Sequence, residues 1–376
     1  MSSVQGSTEG AGAKRDEAVG REFPCSACGA EIHFDIGKQS LACPYCGQVQ
    51  ELEKSDGKVS EQDLSAALTK VALRRKQAGG ASARVAERET TCQSCAATVV
   101  FAANRTVTDC PFCGTSIQLQ NIHESKERIP VDGMLPFLVP EARAKESLAA
   151  WVRSRWFAPN EFKRRGVDGK FNGLFLPYWT FDAMTFTKYT GERGDAYYVT
   201  QGSGKNARRV RKVRWSPASG QFQRFFDDVL VVAAKTLVGG KFVRELEPWP
   251  LEKVQPFEPK LMAGLAAMTY DTELDEGFKQ GKGRIEWELR SDAKSRIGGD
   301  EQKIHTLDVA YSALTYKHLL LPVWLLAYRF HDKAYQVVVN ACTGEVQGER
   351  PYSKLKIALA VIAAAIAALV LINLPE

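Results

Sequence analysis

Gly173-Leu-Phe-Leu-Pro-Tyr-Trp-Thr-Phe-Asp182 and Leu319-Leu-Leu-Pro-Val-Trp324 are two versions of one phrase, aromatic and branched residues around a proline. The β-favouring alternation after the first continues through Tyr189 and returns around Tyr197–Thr200. Residues 213–238 read as further strands, with a turn near Ser219-Gly220. Upstream, Pro136-Phe137 precedes a helical segment, Glu141 to Trp156. Pro256-Phe257 precedes a second expected helix, Pro259 to Tyr270, and another helix is expected over about Leu274–Arg296. Strands from Trp324 to His331 and from Ala334 to Ala341 meet near Asp332-Lys333, and Thr343-Gly344 is a turn. The body therefore reads as α+β and duplicated, with repeats at 129–250 and 251–352. Each repeat supplies a helix layer to cover an antiparallel sheet.

Working outward to the N-terminal side, cysteine spacing takes over. Cys25-x2-Cys28-x14-Cys43-x2-Cys46 and Cys92-x2-Cys95-x14-Cys110-x2-Cys113 share one spacing, and eight of the nine cysteines lie in these sets. Residues 1–20 are Ser, Gly, Ala and charge with no apolar segment, so no secretory signal opens the chain. Thiolate–metal chemistry is then the expectation, not a disulfide framework. Zinc takes four soft ligands in a tetrahedron, and four thiolates leave no position open for catalysis. Each set is expected to be a zinc ribbon, at 21–50 and 88–120, holding one structural zinc ion. Gly29, Gly47 and Gly114 follow Cys-x-x-Cys turns where a positive φ is needed, whereas Ala96 departs from the pattern. Below about 40 residues such modules need the metal to fold. His33 reads as a strand residue. Residues 1–20 read as a disordered tail and 51–87 as a linker, with a short exposed helix bearing Leu64, Leu68, Val71 and Leu73.

At the other end, Leu355 to Leu374 is almost wholly apolar, interrupted only by Lys356 and Asn373. The length and composition predict one C-terminal transmembrane helix. Arg350, Lys354 and Lys356 before it would keep the N-terminal bulk in the cytoplasm, a single-pass protein of the cell membrane.

Twin ribbons, Leu176-Pro-Tyr-Trp-Thr-Phe-Asp182, Gly344-Glu-Val-Gln-Gly-Glu-Arg-Pro-Tyr352 and a final apolar helix together resemble a bacterial family of transcription-factor-IIB-type zinc-ribbon membrane proteins. Some members carry a primosomal or replication-restart helicase-like label. The resemblance implies zinc on the eight cysteines and company with phage-shock-type or stomatin-like membrane-stress proteins.

The remaining signals are weak. Gly202-Ser-Gly-Lys205 lacks the spacing of a phosphate loop, since Val199 and Asn206 stand at its required positions. Lys205, Arg208, Arg209, Arg211, Lys212 and Arg214, near Trp215 and Phe222, are candidates for contact with lipid or nucleic acid. The alternative is a solvated strand edge whose charges block aggregation. Asp227-Asp228 reads as a cap on a strand Val229 to Ala233, not as a metal pair. His305, His318 and His331 are scattered, Cys342 reads as a packed small residue, and no catalytic motif is recognisable. The net charge of +6 is compatible with a polyanionic partner without requiring one. The functional expectation is a membrane-anchored adaptor, not an enzyme, that recruits a cytosolic protein. The alternative is a membrane-tethered nucleic-acid-binding protein using the ribbons and residues 205–214.

Overall fold

A computed structural model describes residues 23–52, 57–77, 88–91, 98–101, 107–109, 116–118, 123–124, 129–165, 171–202, 204, 207–234, 240–331 and 333–372. The first ribbon contributes β1 (His33–Asp35), β2 (Ser40–Ala42) and β3 (Val49–Gln50), a small antiparallel sheet. β4 (Gln62–Asp63) and α1 (Leu64–Gln77) follow. The second cysteine region contributes β5 (Arg88–Thr91), β6 (Thr98–Phe101), β7 (Val107–Asp109), β8 (Ser116–Gln118) and β9 (His123–Glu124), paired as β6-β5-β9 and β7-β8. The body holds β10 (Gly133–Met134), α2 (Glu141–Ser154), α3 (Asn160–Arg165), β11 (Phe171–Gln201), β12 (Arg208–Val232) and α4 (Gly240–Arg244). It continues with β13 (Gln255–Pro256), β14 (Ala266–Ala267), α5 (Leu274–Ile297), β15 (Glu301–Phe330), β16 (Lys333–Asn340), β17 (Val346–Gly348) and α6 (Lys354–Ile372).

Three long strands dominate. β12, β11 and β15 run side by side and antiparallel in a nine-stranded sheet. The two versions of the sequence phrase are neighbours within it: Gly173 pairs with Trp324, Leu176 with Leu321 and Tyr178 with Leu319. The expected repeats thus share one sheet. Along β11 every residue from Leu174 to Ala183 is buried, because both faces are covered. On one face lie Phe175, Trp179, Phe181 and Tyr189, packed in turn against α2, α1 and α5. On the other, Leu174, Leu176 and Tyr178 meet Val243 of α4, Leu246 and Trp249.

Several expectations are corrected. The turn at Ser219-Gly220 does not exist, since β12 runs straight through it. Gly220 lies opposite Tyr189, and a Cβ there would stand 2.6 Å from the Tyr189 hydroxyl, so the glycine makes room for a ring. The helix expected from Pro259 to Tyr270 is a short 3-10 turn, Pro259–Met262, followed by β14. Gly264, at φ +75 beneath the His33 ring, breaks it. Residues 57–77 hold the expected helix, α1, and most of its described residues are exposed, but its start is docked on the body: β4 pairs with β15, Asp63 accepts from the Ala66 N–H at 2.8 Å, and Leu64 is wholly buried against Trp179 and Phe181.

The membrane span is also overturned. Among the described residues no helix is long and apolar enough to cross a membrane. The first turn of α6 belongs to the body: Lys356 Nζ donates to the Ala158 carbonyl at 2.8 Å and to Asn160 Oδ1 at 2.7 Å, and the Ser353 N–H to Phe157 O. From Ile357 to Ile372 the helix rises about 24 Å, short of a hydrocarbon core of roughly 30 Å. The single-pass, tail-anchored localisation, and the topology argued from Arg350, Lys354 and Lys356, lose their basis with it.

The Gly220–Tyr189 contact is testable. Gly220→Ala should lower stability by about 1–3 kcal/mol in urea unfolding, because Tyr189 is buried and cannot swing away. Gly283→Ala, exposed on α5 with nothing within 4 Å of the new Cβ, should raise it by about 0.5–1 kcal/mol.

Candidate metal centre and buried charge network

The first ribbon builds its site from two matching turns. Gly29 N–H donates to Cys25 O at 2.8 Å and Gly47 N–H to Cys43 O at 3.0 Å, with both glycines near φ +72 and +73. The turns bring four sulfurs together, Cys25–Cys46 at 3.6 Å and Cys28–Cys43 at 3.5 Å. These cysteines are unbridged, and a disulfide would need about 2.05 Å. The separations sit close to the roughly 3.8 Å edge of a tetrahedron with about 2.3 Å metal–sulfur bonds. Backbone N–H groups hold the cluster ready for a cation. The amide of Cys46 first, then that of Tyr45, draws the Cys43 thiol down to about 6, and the amide of Ala27 lowers Cys25. At Cys28 an amide bond from Ala30 favours the thiolate, but hydrogen bonds with Cys46 and Cys43, together with burial, override it and push the thiol up to about 12. The four cysteines could hold a metal ion.

This ribbon is not a free module. Cys25, Ile32, Phe34, Leu41 and Cys43 share one core with Phe137, Phe175 and Trp324 of the body. Phe34 N–H donates to Ala263 O at 3.0 Å, and Gln39 reaches Phe137 O at 2.7 Å. The other four expected ligands, Cys92, Cys95, Cys110 and Cys113, lie outside the described residues. So does Lys205. Arg208, Arg209, Arg211, Lys212 and Arg214 all fall on β12 and are exposed. Arg211 pairs with Glu301 at 2.5 Å, and Arg209 and Arg214 lie 4.3 and 5.4 Å over the rings of Tyr198 and Tyr197.

A second constellation escaped the sequence. Asp227 and Asp228 do not cap a strand; they form a bulge inside β12 opposite Asp182, and β15 bulges at the same level. Asp228 and Ala313 take φ +50 and +47 there. The double irregularity gathers Glu61, Asp182, Asp228, Thr315 and Lys317. Lys317 Nζ stands 2.8 Å from Asp228, 3.6 Å from Glu61 and 3.9 Å from Asp182. Asp182, 2% exposed, accepts from the Asp228 N–H at 2.7 Å and the Thr315 hydroxyl at 2.7 Å. Burial opposes the Lys317 charge, but Asp228 and its neighbours win and hold it above the ordinary lysine value. Burial, then Asp228 and Asp182, raise Asp227. Glu61, Asp182 and Asp227 also lie close enough to share a cation. The sequence offered only Asp227-Asp228, set aside as a strand cap, because the other members come from a presumed linker and two further strands. Cys342 is packed as expected, pushed up to about 12 by burial.

No protein-family model matches the chain, and no solved structure matches it. An uncharacterized protein of Bacillus subtilis (strain 168), YdjG, is 23% identical over 244 residues, 60% of this chain. The chain spans 65% of that relative's length.

Removing the cation of the charge network should be costly. Lys317→Met leaves the buried Asp182 without a cation beside the partly exposed Asp228 and Glu61, at about 1–3 kcal/mol near neutral pH. Burial, Asp228 and Asp182 already hold Asp227 above the ordinary carboxylate value and Lys317 opposes them, so removing the lysine raises Asp227 further; that part of the loss is full above its folded range and fades as acid protonates it. Urea unfolding at about pH 7 and about pH 4 checks both parts; a pH-independent deficit would contradict the account.

Proposed function

We propose that this chain is a zinc-stabilised adaptor, a protein that binds another protein and carries out no reaction itself. The observation behind this reading is the metal centre's construction. Four cysteines complete a tetrahedral donor set, which leaves no coordination position for water or substrate. Two of them, Cys25 and Cys43, belong to the core that joins ribbon and body, so the zinc would fasten a platform. The matching spacing assigns a second zinc to Cys92, Cys95, Cys110 and Cys113. What the platform presents is the long β12-β11-β15 arm, with Phe186, Tyr197, Tyr198 and Phe225 exposed on it. The resemblance noted from the sequence adds a class of partner, phage-shock-type or stomatin-like proteins.

Metal analysis should find two zinc ions per chain. Cys43→Ser should remove one of them. It should also lower the unfolding midpoint of the body, since Cys43 is buried in the shared core, and change the near-ultraviolet signal of its tryptophans. A single zinc in the unaltered chain, or a Cys43→Ser protein with an unchanged body, would contradict the assignment. The adaptor reading is tested by crosslinking in cells. A protein partner crosslinked to the full chain supports it, and recovery of no protein partner overturns it.

A further inference from the structure

The sheet is left open at the end of the arm. β15 accompanies β11 only to the pair Gly194–Glu301, and α5 ends at Ile297 against Tyr189 and Ala218. The β11–β12 ladder then continues alone, from Asp195–Arg214 to Gln201–Arg208. Among the described residues β12 has β11 on one side and no strand on the other. An unpaired edge of this length invites another strand. Pro217 ends the run of backbone donors on β12, so the continuous stretch lies at 208–216.

This stretch is also the most basic part of the strand. Alternation puts Arg208, Lys212 and Arg214 on the face that carries Tyr197, and Arg209 and Arg211 on the face that carries Tyr198. Among the described residues only Arg211 of these five has a carboxylate partner, Glu301. The rings nearby are already covered on one side: Arg209 lies over Tyr198, Arg214 over Tyr197, and Lys303 stands 3.7 Å over Trp215. Rings used in this way make poor platforms for stacked bases, which is how a single-stranded nucleic acid would be held. An open row of alternating donors and acceptors, flanked by cations on both faces, suits a different ligand.

We propose that the β12 edge across Arg208–Arg214 takes an extended acidic segment of a partner protein, which adds to the sheet as one more strand. Main-chain hydrogen bonds would supply the attachment and the cations the choice of partner. Because a strand sends successive side chains to opposite faces, the segment needs acidic residues at consecutive positions, unlike a strand with one charged face. The proposal rests on the adaptor reading and names the chemistry of its partner.

The test uses the full chain and a fluorescein-labelled peptide of about eight residues, a strand's length, with Glu-Asp pairs separated by valine. Three further probes accompany it: the same peptide N-methylated at alternate amides, a lysine-substituted peptide, and a DNA oligonucleotide in single- and double-stranded form. The acidic peptide should bind, slow amide exchange at 208–214, and lose about tenfold or more in affinity on N-methylation. A triple change of Arg208→Glu, Arg209→Glu and Lys212→Glu should cost about tenfold or more, with the zinc content unchanged. Equal binding of the N-methylated peptide, protection confined to other segments, or binding of the oligonucleotide alone would each overturn the proposal. Crosslinked partners separate the two readings. A protein partner whose crosslinks all lie outside 195–214 sinks the edge and keeps the adaptor; no protein partner at all sinks both.

Discussion

The ladder between β11 and β15 is the constraint on which the rest of the body depends. It pairs the two apolar phrases with each other, so each strand is covered by its neighbour along its edge and by helices and loops on both faces. Trp179 illustrates the consequence. Its ring is wholly buried, tilted 5.0 Å from Tyr270 and 4.7 Å from His318, and its indole N–H donates to Thr272 O at 2.8 Å. A buried indole without that acceptor would cost on the order of 1–3 kcal/mol. The segment Thr269–Leu274 and the start of α5 are therefore fixed by a residue of β11, and α5 in turn covers the arm as far as Ile297.

Where the apolar phrase ends, the sheet must change character. Asp182 lies on the face that carries Leu176 and Tyr178, and a carboxylate there is expensive unless it is matched. The matching comes from geometry: β12 and β15 each insert an extra residue, which turns Asp228 and Thr315 toward Asp182 and leaves room for Lys317. Beyond the bulges the face that carried α4 and its neighbours bears exposed Phe186 and Phe225. The charge network thus marks the border between a body covered on two faces and an arm covered on one.

Much of this was legible from the sequence, and the misses have physical causes. The cysteine spacing located the first four-cysteine cluster because its chemistry is local: two turns, two glycines, four sulfurs. Glu141–Ser154 and Leu274–Ile297 were legible because their apolar residues recur at helical spacing. Ser219-Gly220 misled because a glycine opposite an aromatic ring looks, in sequence, like a glycine in a turn. Pro259–Tyr270 misled because only one turn of it satisfies the pattern before Gly264 at φ +75. Asp228 was misread as a strand cap and Lys317 went unread, since each gains meaning only from the other's strand. The C-terminal helix was judged on composition alone, which could not show that Lys356 is spent on the carbonyls of Trp156 and Ala158.

The docking of the first ribbon changes what its metal would do. In a free ribbon, ligand loss unfolds a small module and leaves its neighbours intact. Here Phe34 pairs with Ala263, one residue from Gly264, and Gly264 admits the His33 ring because it has no side chain. Ala266 and Ala267, just beyond, pair in parallel with Leu174 and Phe175, the start of the apolar phrase. A continuous path of backbone contacts therefore runs from the cysteine cluster through β1 and Ala263 to β14 and β11. Displacing the ribbon would remove the cover from Phe175 and Trp324, both in its core. The cysteine cluster is in this sense a component of the sheet's packing, placed at the opposite end of β11 from the arm's open tip.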